Sequence, residues 1–142
     1  MSDQPISGSR PPVIIGNCGG FYGDRIGAMA GMLEGGKRDY PTGDYHAELT
    51  MLILGRDRMK NPDGGYAKTS LRQLEECLGP ALDKGVRIVA NAGGLNPAGL
   101  AGAVRQLAHR LGLDVAVAHV EGDDLLGRAD ELGLGTPLTA NA

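Results

Sequence analysis

Short aliphatic runs alternate with helical patterns along this 142-residue chain, and this alternation limits its fold more than any other feature. Clear runs lie at 13–15, 86–90 and 115–120, and a weaker one surrounds Asp39 and Tyr40. Strands that are separated by helices form parallel sheets with helices on their faces. The sequence therefore predicts an α/β fold with a Rossmann-like, open and mainly parallel sheet flanked by helices.

Two of the helices have recognisable starts. The asparagine–proline pair at 96–97 is typical of a helix start, because proline at the first helical position loses no hydrogen bond, and Gly112 would end that helix. Ser70 and Gln73 have the spacing of a capping box, which predicts another helix from Leu71.

Two further helices are predicted with less support from their boundaries. One covers about 24–33, and the other lies within 45–59, directly after Asp44. Pro80 lies inside the helix predicted from residue 71 and should kink or split it, because proline lacks the N–H that the helix interior needs.

Composition excludes several classes of partner. The formal net charge is −3, with 14 Lys and Arg against 17 Asp and Glu, and no basic stripe is present, which argues against nucleic acid. No apolar run reaches the roughly 20 residues of a membrane span, so no membrane partner is expected. Residues 1–12 form a polar leader, and residues 13–142 form the predicted domain.

The two cysteines, Cys18 and Cys77, are too few for a disulfide framework and fit free thiols in a reducing compartment, which indicates the cytoplasm. Cys18 lies between a predicted strand and a predicted helix, a setting that lowers a thiol pKa and would suit a nucleophile. No partner base can be assigned to it, so a small buried residue is the favoured interpretation.

The loop after the first predicted strand is rich in glycine. Glycine amides next to a helix start favour an anion such as phosphate, but the spacing fits neither a dinucleotide fingerprint nor a P-loop. Asp24 suits a helix cap equally well, and Arg25 suits either an anion clamp or a surface ion pair. The candidate binding residues in this loop are Asn17, Gly19, Gly20, Asp24 and Arg25.

The loop after the second predicted strand carries Asp44 and Glu48. Residues four apart share one face of a helix, so these two carboxylates would lie together near its positive end. Such a pair could perform acid–base chemistry or hold a metal, and it could equally be a helix cap with a first-turn acid. His46 has no partner at zinc-ligand spacing, so no metal is assigned.

The third and fourth loops add further polar groups. Asn91 and the amides of Gly93 and Gly94 could polarise a carbonyl or stabilise an oxyanion. Asn96 is a candidate contact that is also explained as a helix cap. Asp123, in an acidic turn, could bind a metal or a sugar hydroxyl, or could simply cap a helix.

Right-handed crossovers place the carboxyl ends of all parallel strands on one edge of the sheet, where ligands bind in such folds. We therefore expect Asn17, Asp44, Asn91 and Asp123 to lie close together. A single shared pocket explains the repeated polar turns better than four separate helix caps.

Five longer motifs resemble, in order and spacing, those of the acyclic terpene utilisation (AtuA-type) family. The resemblance implies a role in the bacterial breakdown of citronellol and geraniol, which passes through isoprenoid acyl-CoA thioesters. Members of the family are usually longer, so the chain resembles an N-terminal portion, a fragment or half of a split protein, with a sheet incomplete at its C-terminal end. The motifs are GNCGGFYGDR (16–25), TGDYHAELTM (42–51), NPDGGYAKTSLRQLE (61–75), VRIVANAGGLNPAGLA (86–101) and VEGDDL (120–125).

These features together suggest a component of an enzyme that adds or removes water beside the carbonyl of a small acyl substrate. Asp44 or Glu48 would be the base. Asn91, with the amides at 93–94, would polarise the carbonyl, and the amides at 19–20 with Arg25 would bind an anionic group.

Two other functions remain open from the sequence. In a nucleotide-binding module, residues 16–23 would cradle phosphates and Asp39 or Asp44 would meet a ribose. In a non-catalytic subunit, an uncovered sheet edge would associate with a homo-oligomeric partner or with a chain that supplies the missing C-terminal region. No cofactor is assigned by the sequence.

Overall fold

The computed structural model describes residues 11–19, 22 and 24–134. In this part of the chain, three short strands form one parallel sheet in the order β1-β2-β3. The strands are β1 (Ile15–Asn17), β2 (Tyr40–Gly43) and β3 (Val89–Ala90). Ile15 pairs with Tyr40 and Thr42 pairs with Val89. The predicted polar leader lies mostly outside the described residues.

Four α-helices accompany the sheet in the described ranges. One follows β1, two follow β2 and one follows β3, so the α/β architecture with a parallel sheet is confirmed. The helices are α1 (Ala28–Glu34), α2 (Glu48–Lys60), α3 (Lys68–Asp83) and α4 (Pro97–Arg110), and a short 3-10 turn covers Leu126–Arg128. Among the described residues, no helix has the length and apolar character to cross a membrane.

The main core lies between α1, α3 and the sheet. Met29 and Leu33 of α1 pack with Cys77 and Ala81 of α3, and Cys18 at the end of β1 completes the cluster. Helix α3 also packs against α4. Both cysteines are free and buried, as the favoured interpretation of the sequence predicts.

One face of the sheet packs against a helix, whereas side chains on the other face are exposed to solvent. A Cβ at Gly16 would lie 2.7 Å from Met32 Sδ, so α1 approaches β1 closely on one face, where the paired Pro41 is buried. Alternate strand residues point to opposite faces. On the other face, Ile15 is 65% exposed and Val89 is 54% exposed.

The strand predicted at 115–120 is wrong. Within the described residues, this segment has no strand pairing and follows α4 without regular secondary structure. Its carbonyl at Val117 accepts a hydrogen bond from Arg105 Nη2 at 2.8 Å, so a side chain takes the place of a neighbouring strand. Its aliphatic composition suits a strand, but a strand forms only where a sheet edge pairs with it.

Two predicted helix starts are wrong: both helices begin at later residues than predicted. Helix α1 begins at Ala28 after Gly27, so Asp24 is not its cap. Helix α2 begins at Glu48 after the extended residue Ala47, so Asp44 precedes the helix and does not share a helical face with Glu48.

Helix α3 also differs from its prediction. It begins at Lys68, and the Ser70 hydroxyl donates to the Ala67 carbonyl at 2.7 Å, so Ser70 does not form the predicted capping box. The helix runs unbroken past Pro80 to Asp83, because the buried residues on both sides of Pro80 hold it in place. At α4 the predicted cap and the predicted stop are confirmed: Asn96 caps the helix, and Gly112 follows its end with a φ of 68°.

Candidate functional site at the carboxyl edge of the sheet

The loops that leave the three strands are joined directly by hydrogen bonds. The Asp44 amide donates to the Gly19 carbonyl at 3.0 Å, which ties the second loop to the first. The Tyr45 amide donates to Asn91 Oδ1 at 2.6 Å, which ties the second loop to the third. The structure thus brings the first three predicted loops together at the carboxyl edge of the sheet.

Asp44 is an exposed carboxylate that is fixed by its neighbours. Asn91 Nδ2 donates to Asp44 Oδ1 at 2.7 Å, and the His46 amide donates to the same oxygen at 3.3 Å. These hydrogen bonds, with that of Asn91 the stronger, hold the pKa of Asp44 below its ordinary value. The group is therefore ionised at neutral pH and open to a ligand.

Asn91 positions this carboxylate with both ends of its amide. Its oxygen accepts the Tyr45 amide, and one N–H of its nitrogen serves Asp44. An asparagine nitrogen carries two N–H groups. The second has no partner among the residues that the structure describes and remains available to a substrate oxygen.

Tyr45, directly after Asp44, forms a buried hydrogen-bonded pair with Gln73. Tyr45 is 1% exposed, its hydroxyl bonds to Gln73 Oε1, and Gln73 Nε2 donates to the Arg25 carbonyl at 3.3 Å. Burial raises the pKa of Tyr45 to about 12, so its hydroxyl keeps the proton that it shares with Gln73. The sequence analysis did not identify this role of Gln73. A polar residue among the apolar residues of a predicted helix was the feature that could have indicated it.

Cys18 has the environment of a buried thiol. Its Sγ donates to the Thr42 carbonyl at 2.9 Å. Burial raises the pKa of Cys18, and nearby Asp24 acts in the same direction. A protonated thiol is a poor nucleophile, which favours the structural interpretation over the catalytic one. Burial also raises the pKa of Cys77, to about 11.

In the first loop, polar groups that the structure describes form hydrogen bonds within the loop itself. The Gly19 amide donates to Asn17 Oδ1 at 2.9 Å, and a Cβ at Gly19 would lie 2.5 Å from Asp24 Oδ2. Asp24 Oδ1 also accepts the Arg25 amide at 2.6 Å, while the Arg25 side chain is exposed. Gly20 lies outside the described residues. A carboxylate beside Gly19 opposes anion binding there.

The third loop also uses its predicted groups in its own structure. The Gly94 amide donates to the Asn91 carbonyl at 3.2 Å, and a Cβ at buried Gly93 would lie 2.8 Å from Pro97 Cα. Asn96 accepts the Gly99 amide at 2.8 Å as the cap of α4 and donates to the carbonyls at 63 and 64, each at 3.1 Å. Asn96 therefore joins the third loop to the segment after α2.

Glu48 and Asp123 are placed apart from this network. Both are exposed, and no hydrogen bond or ion pair joins either side chain to Asp44 or Asn91 in the described part of the chain. Next to Asp123, the carboxylate of Asp124 pairs with Arg58 at 2.7 Å. Arg58, which sequence reasoning did not single out, thus ties the acidic turn to the last turn of α2.

The described residues contain no group of three or more His, Cys, Asp or Glu side chains arranged to hold a metal ion. Two of the polar groups at this edge, the Asp44 carboxylate and the Asn91 amide, are joined to each other by a hydrogen bond. Together they can accept a proton and donate a hydrogen bond within one small region.

Most of the chain matches the model of a known protein family. The family is described as acyclic terpene utilisation family protein AtuA, and the match spans residues 13–139. The matched range includes all four loops analysed above. No curated protein and no solved structure matches the chain significantly.

Proposed function

Because this chain belongs to the acyclic terpene utilisation (AtuA) family, we propose that it acts in acyclic terpene breakdown by adding water to, or removing it from, a small branched acyl thioester. The observation that carries this proposal is the exposed Asp44 carboxylate, held by Asn91 at the carboxyl edge of the sheet. We place the reaction in the cytoplasm, which fits the two free thiols.

The proposed chemistry needs a base and a carbonyl polariser. In water removal, Asp44 takes a proton from the carbon next to the thioester carbonyl, and the hydroxyl on the following carbon leaves as water with a proton from solvent. The carbonyl oxygen gains negative charge as the proton leaves, and the second N–H of Asn91 would stabilise it. Water addition reverses these steps.

Asp44 has better support as the base than Glu48. Asp44 is oriented by two donors, whereas no described contact orients the Glu48 side chain toward the loops. A low pKa makes Asp44 a weak base in water, but a thioester covering the edge would remove solvent from the carboxylate, and this desolvation would raise its pKa and its basicity.

A nucleotide-binding module has less support. Phosphate binding would need free amides in the first loop, and the Gly19 amide is already bonded to Asn17. The Asp24 carboxylate beside Gly19 would repel a phosphate. No described contact favours this alternative over the acyl substrate.

We also propose that the three strands belong to a larger Rossmann-like sheet that is completed in an assembly. All-parallel sheets are normally covered on both faces, yet Ile15 and Val89 are exposed on one face here. A second copy of this chain, or a different partner chain, would cover them.

A direct assay tests the proposed reaction. The full chain is incubated with a branched α,β-unsaturated acyl thioester, and the mass of the thioester is followed over time. We expect a product that is heavier by one water, formed faster than without protein. If neither the unsaturated thioester nor its hydrated form is converted, the proposed reaction is wrong.

A further inference from the structure

A cavity of about 310 Å³ lies at the amino ends of β2 and β3, away from the edge that holds Asp44. It is formed where the chain leaves α1 to enter β2 and where it leaves α3 to enter β3. Its lining residues are Leu33, Gly36, Lys37, Arg38, Lys84 and Val86.

The cavity is strongly basic in an otherwise acidic chain. Three of the lining residues are cations and none is acidic, while the chain as a whole has a formal charge of −3. Glu34 and Asp83, the acids at the ends of α1 and α3, do not line it. Among the residues that the structure describes, none of the three cations forms an ion pair.

The local hydrogen bonds satisfy only part of this charge. Lys84 Nζ donates to the Leu33 carbonyl at 2.6 Å and so offsets the negative end of α1. Arg38 donates from Nη1 to the Lys37 carbonyl at 3.0 Å and from Nε to the Met32 sulfur at 3.2 Å. The Lys37 ammonium has no hydrogen bond to a described residue.

We propose that this cavity binds a small multivalent oxyanion, such as pyrophosphate or a phosphate ester. The three cations line one cavity that has no acidic lining residue, so a bound anion would be attracted to all three. Lysine and arginine form strong charge-assisted hydrogen bonds with such oxygens. The cavity volume is at the low end for small-molecule sites, and Leu33 and Val86 supply an apolar wall.

The test titrates pyrophosphate into the full chain by calorimetry at constant ionic strength. Lys37→Gln removes one charge from the cavity without breaking a described contact, and Lys60→Gln removes one from the exposed end of α2 as the matched control. We expect saturable binding by the wild-type chain, a loss of affinity of roughly tenfold or more in Lys37→Gln, and a change below about twofold in Lys60→Gln.

Two results would overturn the proposal. One is the absence of saturable pyrophosphate binding by the wild-type chain. The other is an equal loss of affinity in both variants, which would show a response to overall charge rather than a site. Neither result depends on the acyl reaction, because Asp44 and Asn91 do not line this cavity.

Discussion

Replacing Asp44 with asparagine should lower turnover of the acyl thioester by about 10²- to 10⁴-fold, the usual contribution of a general base. Asparagine has nearly the same shape, and its oxygen can still accept the hydrogen bonds from Asn91 and the His46 amide. The loop should therefore keep its position, while the group that takes the proton is lost. Steady-state rates from the mass assay measure this effect.

The matched control is Asp114→Asn, because Asp114 is an exposed carboxylate that lies after α4, outside the linked loops. Its turnover should stay within about twofold of the wild type, as for a surface residue outside the site. Glu48→Gln tests the alternative base, and its turnover should stay near the wild-type value if Asp44 is the base. If Asp44→Asn unfolds at the wild-type urea midpoint and retains wild-type turnover, Asp44 is not the base.

Replacing Gly94 with alanine should destabilise the fold by about 2–5 kcal/mol, the sum of backbone strain and overpacking. Gly94 has a φ of 52°, which side chains other than glycine rarely adopt. An added Cβ would overlap the Leu54 side chain and would lie 2.8 Å from the Gly65 carbonyl oxygen. Urea unfolding measures the free-energy difference.

Gly102→Ala is the matched control for this substitution. Gly102 lies in α4, and a Cβ there would meet no atom within 4 Å. Alanine should stabilise the helix there by about 0.5–1 kcal/mol. Equal stability of Gly94→Ala and the wild type would show that the third loop is not packed against α2 as described.

The α/β class followed from the sequence because local patterns determine it. Aliphatic runs before glycine-containing loops marked β1 and β3 within a few residues, and the Asn96–Pro97 pair marked the start of α4. The segment at 115–120 shows where such patterns fail. Its composition suits a strand, but pairing depends on a neighbouring sheet edge that the local sequence does not encode.

The meeting of the first three loops was predictable from parallel topology, but the bonds within it were not. The Tyr45 amide donates to Asn91, 46 residues away, and Ala47 is extended, so α2 begins only at Glu48. The expected helical pairing of Asp44 and Glu48 therefore fails. Gln73 likewise donates to the Arg25 carbonyl, 48 residues distant in the chain, and Arg58 pairs with Asp124, 66 residues distant.

The most direct test is the acid titration of the Asp44 carboxyl group, followed by NMR in the wild type, Asn91→Ala and the control Asn61→Ala. Because folding lowers the pKa of Asp44, its stabilising contribution is present above the unfolded-state pKa and is lost as the pH falls through the folded-state value. We expect a midpoint below the ordinary aspartate value in the wild type and in Asn61→Ala. In Asn91→Ala the midpoint should move up toward the ordinary value; an unchanged midpoint would contradict the joining of these two loops.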